Sequence, residues 1–273
     1  MENFKRNHRI AAMTQILIDN PNKVLSLNYF SDSFNAAKST ISEDLIIVKN
    51  VFEQLSIGRI ETISGAAGGI KYVCGISENE LRGFSEKLCI ILRERGRIIP
   101  GDYIYLSDIL YNPDIIHKAG IILAAAFKNS NIDYVVTVET KGIPLAYEVA
   151  RMLGIQLIIV RRDNKITEGT TVSINYVSGS SKRIQTMSLS RRSIKSGSKC
   201  IFIDDFMKAG GTALGLISLL DEFNCSLEGV GVLIDDVSIE KKFINDYVSI
   251  VKFSGVDENE MAVVHSSNCI KCI

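Results

Sequence analysis

Short, almost uninterrupted apolar runs alternating with helical segments constrain this chain most. Tyr134-Val-Val-Thr-Val138, Leu157-Ile-Ile-Val160 and Cys200-Ile-Phe-Ile203 have strand length but almost no polar alternation, so both faces of each strand must be covered. Gly231 to Ile234 and Val248 to Phe253 continue the series, and Ile104 to Leu106 is a further short candidate. Helical patterns lie between them, from Asp114 to Lys128, Pro144 to Leu153 and Thr212 to Phe223. Strands and helices in this order predict an open α/β domain on a mainly parallel sheet. With 273 residues the chain has room for that domain and a second one.

The second domain comes first. Ile10, Met13, Ile16 and Leu17 recur at helical spacing until Asn20-Pro21. Leu27 to Phe34 forms a second short helix, and a third opens near Lys38 to Thr40, where Thr40 and Glu43 have capping-box spacing. Ile41, Leu45, Val48 and Phe52 then give one apolar stripe. Two β-prone runs, Ile57 to Ile63 and Ile70 to Ile76, flank the glycine-rich Ser64 to Gly69 as a hairpin would. Three helices and a hairpin predict a winged helix-turn-helix over residues 1–75, leaving 76–273 for the α/β domain, which a helix over 77–95 introduces.

Lys and Arg number 31 and so do Asp and Glu, so global charge gives no case for nucleic acid. The longest apolar stretch, Gly120 to Phe127, falls well short of the roughly 18 residues of a bilayer span, and the basic N-terminus has no apolar stretch after it, so a cytoplasmic protein is expected. The six cysteines are read as reduced and buried. Cys269-x-x-Cys272 with His265 supplies only half of a zinc site, and no metal site is assigned.

The chemistry is concentrated in Cys200-Ile-Phe-Ile-Asp-Asp-Phe-Met-Lys-Ala-Gly-Gly-Thr212. A buried strand ends in two carboxylates, and a short loop with Ala209, Gly210 and Gly211 enters a helix at Thr212. Glycines let backbone N–H groups approach an anion, and the helix N-terminus adds partial positive charge. Carboxylates accept hydrogen bonds from vicinal hydroxyls, so Asp204 and Asp205 suit a sugar attached to that phosphate.

That stretch resembles the phosphoribosyl pyrophosphate (PRPP) motif of type I phosphoribosyltransferases. Val138-Glu-Thr-Lys-Gly-Ile-Pro-Leu-Ala146, the run from Arg161 to Gly169 and Ser173 to Ser181 resemble, more narrowly, the purine operon repressors. The resemblance spans nearly the whole chain and weakens after Asp235. It implies a usually homodimeric, DNA-binding repressor of purine biosynthesis genes, acting on double-stranded promoter DNA, with PRPP and magnesium as the effector that relieves DNA binding. Phosphoribosyl transfer is not implied, and a guanosine polyphosphate is a candidate competitor for the anion site. By the same resemblance Asp204 and Asp205 meet the ribose hydroxyls, Lys208, Ala209, Gly210, Gly211 and Thr212 surround the 5-phosphate, and Thr140, Lys141 and Gly142 sit at the pyrophosphate. Tyr103 and Phe206 match aromatic positions beside the ligand, and Asp102 stands where the family has a smaller residue.

Local charge supplies the DNA candidates. Residues 1–75 hold eight Lys/Arg against seven Asp/Glu, little for a reader of duplex DNA. Lys5, Arg6 and Arg9 are placed to touch phosphates, Lys38, Ser39, Thr40 and Ser42 open the recognition helix, and Arg59 and Lys71 flank the wing. Between Gly169 and Ile203 no acidic residue occurs, while Lys182, Arg183, Arg191, Arg192, Lys195 and Lys199 do; this excursion is read as a basic surface beside the phosphate site, shared by ligand and DNA. An active purine phosphoribosyltransferase with an accessory N-terminal domain is the competing reading.

Overall fold

The computed structural model of the chain describes residues 4–65, 68–101, 103–128, 130–163, 169–177 and 184–267. Asp102, Lys182, Arg183, Cys269 and Cys272 lie outside them. Two compact units divide the chain: Met1–Ser77 with Arg151–Gly154, and Glu78–Ala150 with Ile155–Ile273.

In the first unit α1 (Arg6–Asp19), α2 (Leu27–Phe34) and α3 (Lys38–Gln54) precede the antiparallel pair β1 (Gly58–Ile63) and β2 (Gly69–Cys74). Ile41, Leu45, Val48 and Phe52 of α3 are all buried with Met13, Leu17 and Phe30, so the stripe packs one helix onto the other two. Ser26 caps α2 by accepting from the Tyr29 N–H at 3.1 Å, and Asn35 stops it in a left-handed conformation. The capping box at Thr40 does not form. The helix α3 begins at Lys38, within the expected range, with Ala37 at its N-cap and no side-chain cap, so Thr40 lies inside the first turn and not at the cap.

From α4 (Glu78–Leu92) onward the chain passes through β3 (Ile98–Ile99), β4 (Tyr103–Ile104), α5 (Ser107–Leu110), α6 (Pro113–Ala126), β5 (Tyr134–Val138), α7 (Ile143–Leu153) and β6 (Gln156–Val160). It continues with β7 (Thr171–Val177), β8 (Ile184–Ser190), β9 (Lys199–Met207), α8 (Gly211–Asp221), β10 (Ser226–Asp236), β11 (Val248–Val256) and β12 (Ala262–Ser266). The main sheet has the order β12-β11-β10-β9-β5-β6, parallel except for β12 on one edge. This is the expected open α/β architecture, with three differences. The strand expected at 104–106 is the two-residue β4, paired with β3 outside the main sheet. The excursion after Gly169 is a hairpin of β7 and β8, whose Tyr176, Met187 and Leu189 join the apolar core under α8. Finally, β9 runs on past Ile203 to Met207, because β10 pairs with it as far as Asp235.

Candidate functional site

β5 and β9 are parallel neighbours, but the chain leaves them in opposite directions, toward β6 and toward β10. The loops at the carboxyl ends of two such strands diverge and leave a crevice at the point of reversal. A cavity of about 540 Å³ opens there, and Asp204, Asp205, Lys208–Thr212, Thr140 and Lys141 all line it, as do Tyr103 and Phe206. Residues some sixty positions apart in sequence thus face one space because two strand ends do.

One wall is the turn from β9 into α8. Gly210 is the N-cap of α8 at φ 81°, a left-handed conformation that glycine adopts without strain, and no side chain caps the helix. The first-turn N–H groups of α8 are therefore free for an anion. Asp204 sits at the foot of this wall, and its Oδ1 accepts from the Asp205 N–H at 2.9 Å. Burial, followed by the adjacent Asp205 carboxylate, holds the Asp204 carboxyl well above the usual carboxylate range.

The facing wall is the turn from β5 into α7, entered by a cis peptide between Glu139 and Thr140. Gly142 does not line the cavity but lets this wall approach the other: a Cβ there would stand 2.5 Å from Asp204 Oδ1 and 2.8 Å from Thr137 Oγ1. The Thr137 hydroxyl is buried and has no hydrogen-bond partner among the described residues. Glu139 fixes the third side, accepting from the Arg162 N–H at 2.6 Å and from Arg161 Nη1 at 3.2 Å. Burial alone would raise its carboxyl, but those donors outweigh it and the carboxyl is held low. Glu139, Arg162, Asp163 and Asp236 also line the cavity; the first three fall in stretches that carry the family resemblance but have no role assigned there, and Asp236 is not singled out by the sequence. Arg162 was legible as a basic residue just beyond β6, but only the sheet order puts that strand end beside β5.

At the outer end the Phe206 ring packs against Phe253 at 6.3 Å, while Tyr103 is half-exposed with Lys208 Nζ 6.0 Å from its ring centre. Below the loop, Tyr176 of the hairpin donates to Gln185 Oε1 at 2.8 Å. Burial pushes its phenol up, opposed by the charge of Arg162 and by a hydrogen bond with Thr212.

The basic candidates fare unevenly. Arg191, Arg192 and Lys195 are exposed, but none lines the cavity. The Lys195 carbonyl accepts from Cys225 Sγ at 3.2 Å just before β10 begins, so Lys195 stands at the amino end of the sheet and not beside the phosphate loop. In the first unit the Arg9 guanidinium, only 12% exposed, is bound to Asp44 Oδ2 at 2.8 Å and to the Phe4 carbonyl at 2.8 Å. Arg6 pairs with the other Asp44 oxygen at 3.1 Å but keeps most of its side chain in solvent. Asp44 is buried on α3, and a buried carboxylate needs such compensation, so Arg9 holds α1 to α3 and is not available to a phosphate. Lys71 and Arg59 both pair with Glu61, at 3.2 and 2.6 Å, so that one carboxylate offsets one of the two positive charges at the wing. Lys5, Lys38, Ser39 and Ser42 are exposed and Thr40 is half-buried; the Ser42 hydroxyl donates to the Lys38 carbonyl at 2.9 Å.

Comparison with known proteins follows the same division. Residues 5–74 match the family model of the bacterial purine repressor N-terminal domain, and residues 106–265 that of the phosphoribosyl transferase domain. The purine biosynthesis transcriptional repressor PurR of Bacillus subtilis is 48% identical over 260 residues, covering 95% of this chain and 91% of that protein. The purine biosynthesis transcriptional activator PurR of Lactococcus lactis subsp. lactis is 44% identical, covering 93% and 94%. Among solved structures, the adenine phosphoribosyl transferase of Trypanosoma brucei in complex with AMP, pyrophosphate and ribose-5-phosphate shares the fold, with a TM-score of 0.55 at 18% identity, covering 70% of this chain and 86% of that one. No described helix is long and apolar enough to cross a membrane. With near-complete coverage at this identity and both domain models matched in order, the chain belongs to the purine repressor family, in which a bacterial purine repressor N-terminal domain precedes a phosphoribosyl transferase domain.

Proposed function

We propose that this protein is a cytoplasmic DNA-binding repressor of purine biosynthesis genes, acting as a homodimer, and that PRPP with magnesium is the effector that releases it. The observation carrying this reading is the cavity at the β5/β9 reversal, where an uncapped helix N-terminus and two adjacent carboxylates face Thr140 and Lys141. Backbone N–H groups and Lys208 suit a 5-phosphate, Asp204 and Asp205 suit ribose hydroxyls, and Lys141 with Arg162 suits a pyrophosphate. Among the described residues no cluster of three or more His, Cys, Asp or Glu is placed to hold a metal. Magnesium, which keeps phosphate and water oxygens as ligands, fits this site when it arrives with the pyrophosphate, as a hard cation near Asp204 and Asp205. A guanosine polyphosphate competes for the same anion loop.

Promoter DNA meets the first turn of α3, where Lys38, Ser39, Thr40 and Ser42 stand on an uncapped helix end. Since Arg191, Arg192 and Lys195 do not line the cavity, the effector does not work by covering them. It changes the arrangement of the winged helices in the dimer, and ligand and DNA oppose each other reciprocally. On this reading the protein carries out no phosphoribosyl transfer: catalysis needs a base held in line with the anomeric carbon, and we assign Tyr103 and Phe206, which line the cavity, to the place that base would take.

Titration of purine-gene promoter fragments, with and without PRPP and magnesium, tests the reading. DNA affinity should fall at least tenfold with the effector present, and no nucleotide should form over many turnovers from adenine, guanine, hypoxanthine or xanthine. DNA affinity indifferent to PRPP, or sustained nucleotide formation, would overturn it in favour of an active transferase.

A further inference from the structure

β10 and β11 are parallel neighbours, so the chain must cross back from the end of one to the start of the other. Two other parallel crossovers in the sheet carry helices, α7 between β5 and β6 and α8 between β9 and β10. The crossover at 237–247, described throughout, is neither helix nor strand. A segment without internal hydrogen bonding of that kind must be held by its contacts; besides the Val237 N–H bond to the Phe253 carbonyl at 2.8 Å, this one is tied at three places. At its start, the Ser238 N–H and hydroxyl donate to Asp236 Oδ1 at 3.1 and 2.5 Å. At its foot, Lys242 and Tyr247 both donate to Asp235 Oδ1, Tyr247 at 3.0 Å, and Lys242 Nζ also lies 5.3 Å from the Tyr247 ring centre. The Lys242 and Asp235 side chains are only 9% and 6% exposed.

The third tie reaches the phosphate loop. The Phe243 N–H donates to the Ala209 carbonyl at 2.9 Å, although the Phe243 ring itself is 61% exposed. Ile244 N stands 3.5 Å from where a Gly210 Cβ would be. In a planar trans peptide C=O and N–H point in opposite directions. Holding the Ala209 carbonyl toward this segment therefore turns the Gly210 N–H of the same peptide the other way, and Gly210 lines the cavity. Asp235 is the register partner of Met207, the last residue of β9 before the loop, so the ion pair and the loop share one end of the sheet.

We propose that 237–247 is a positioning strap that aims the Gly210 amide at the bound phosphate, with Lys242 as the residue that fixes it through Asp235. Lys242 does not line the cavity and touches no ligand; it acts through the Phe243–Ala209 hydrogen bond. The proposal rests on reading Lys208–Thr212 as the phosphate site, and the two are separated by making one measurement without any ligand.

The full-length chain is compared with Lys242→Met, Phe243→Pro and Phe243→Ala. Proline removes the N–H that binds Ala209, whereas alanine keeps it and changes only an exposed side chain. Amide hydrogen exchange in the unliganded protein should rise at least tenfold at Leu214, whose N–H donates to the Gly210 carbonyl at 3.0 Å, in Lys242→Met and Phe243→Pro, with β5 and β9 unchanged and Phe243→Ala matching the parent. Calorimetry with PRPP and magnesium should show at least a tenfold weaker affinity in the same two variants, while DNA affinity without effector stays constant. Should Lys242→Met fail to fold, Phe243→Pro decides the matter, since its side chain is outside the core. Loop exchange and affinity within twofold of the parent in folded Phe243→Pro would overturn the strap. A parent chain that binds no PRPP would overturn the ligand reading instead, and the exchange measurement would still decide the strap.

Discussion

Replacing Gly142 by alanine tests the geometry of the cavity without changing any charge. The added methyl would stand 2.5 Å from Asp204 Oδ1, 2.8 Å from Thr137 Oγ1 and 3.1 Å from Asp204 Cα, where ordinary contact begins near 3.4 Å. The obstacle includes the backbone of a central strand, so the 139–142 loop must retreat by about 0.9 Å, the difference between 3.4 and 2.5 Å. Overpacking of this kind costs roughly 1–3 kcal/mol, which at about 2–4 °C per kcal/mol lowers the melting temperature by several degrees. On the proposed reading, a retreat of this size also lengthens the hydrogen bonds that Thr140 and Lys141 would make to a pyrophosphate. Losing one charge-assisted bond, about 1.5–3 kcal/mol, weakens PRPP binding roughly 10- to 150-fold. Calorimetry of the full chain with PRPP and magnesium measures this, and promoter titration without effector should show unaltered DNA affinity. A folded Gly142→Ala protein that binds PRPP within twofold of the parent would refute the placement of the pyrophosphate against this loop.

Arg9→Ala should lower stability by about 1.5–3 kcal/mol, because Asp44 keeps only its exposed partner, yet leave the salt dependence of DNA binding unchanged; Lys38→Ala should instead relax sequence preference, and chemical denaturation beside promoter titrations distinguishes the two. Neutralising Arg191, Arg192 and Lys195 together should leave PRPP affinity within twofold, since none lines the cavity, and calorimetry showing a larger loss would return the basic run to the ligand site. Asp204 retains a proton in the folded protein that the unfolded chain releases, so stability should decline as pH rises from about 4 through its raised pKa. Asp204→Asn should flatten that decline and raise the melting temperature at neutral pH while weakening PRPP binding, and thermal melts across pH check the sign.

The α/β architecture, the winged helix and the motif of Asp204, Asp205, Gly210, Gly211 and Thr212 are local or periodic properties, which is why the linear sequence determines them. Burial on both faces of a parallel strand leaves an apolar run wherever the strand sits, and a turn that must reach φ 81° at Gly210 favours glycine in any context. The hairpin of β7 and β8 left a trace too, in the alternation of Val172, Ile174 and Tyr176 with Ser173 and Asn175 between them. What depended on pairing between distant segments was not legible. That β6 ends beside β5, bringing Arg162 to Glu139, follows from strand order, which no residue encodes alone. Likewise a basic residue in sequence is only a charge: whether Arg9 and Lys71 face a phosphate or a carboxylate was decided by where Asp44 and Glu61 came to rest. Electrostatic roles belong to pairs, and tertiary structure selects the partners by bringing groups far apart in the chain within a few ångströms, where desolvation makes an unpaired charge too costly to keep.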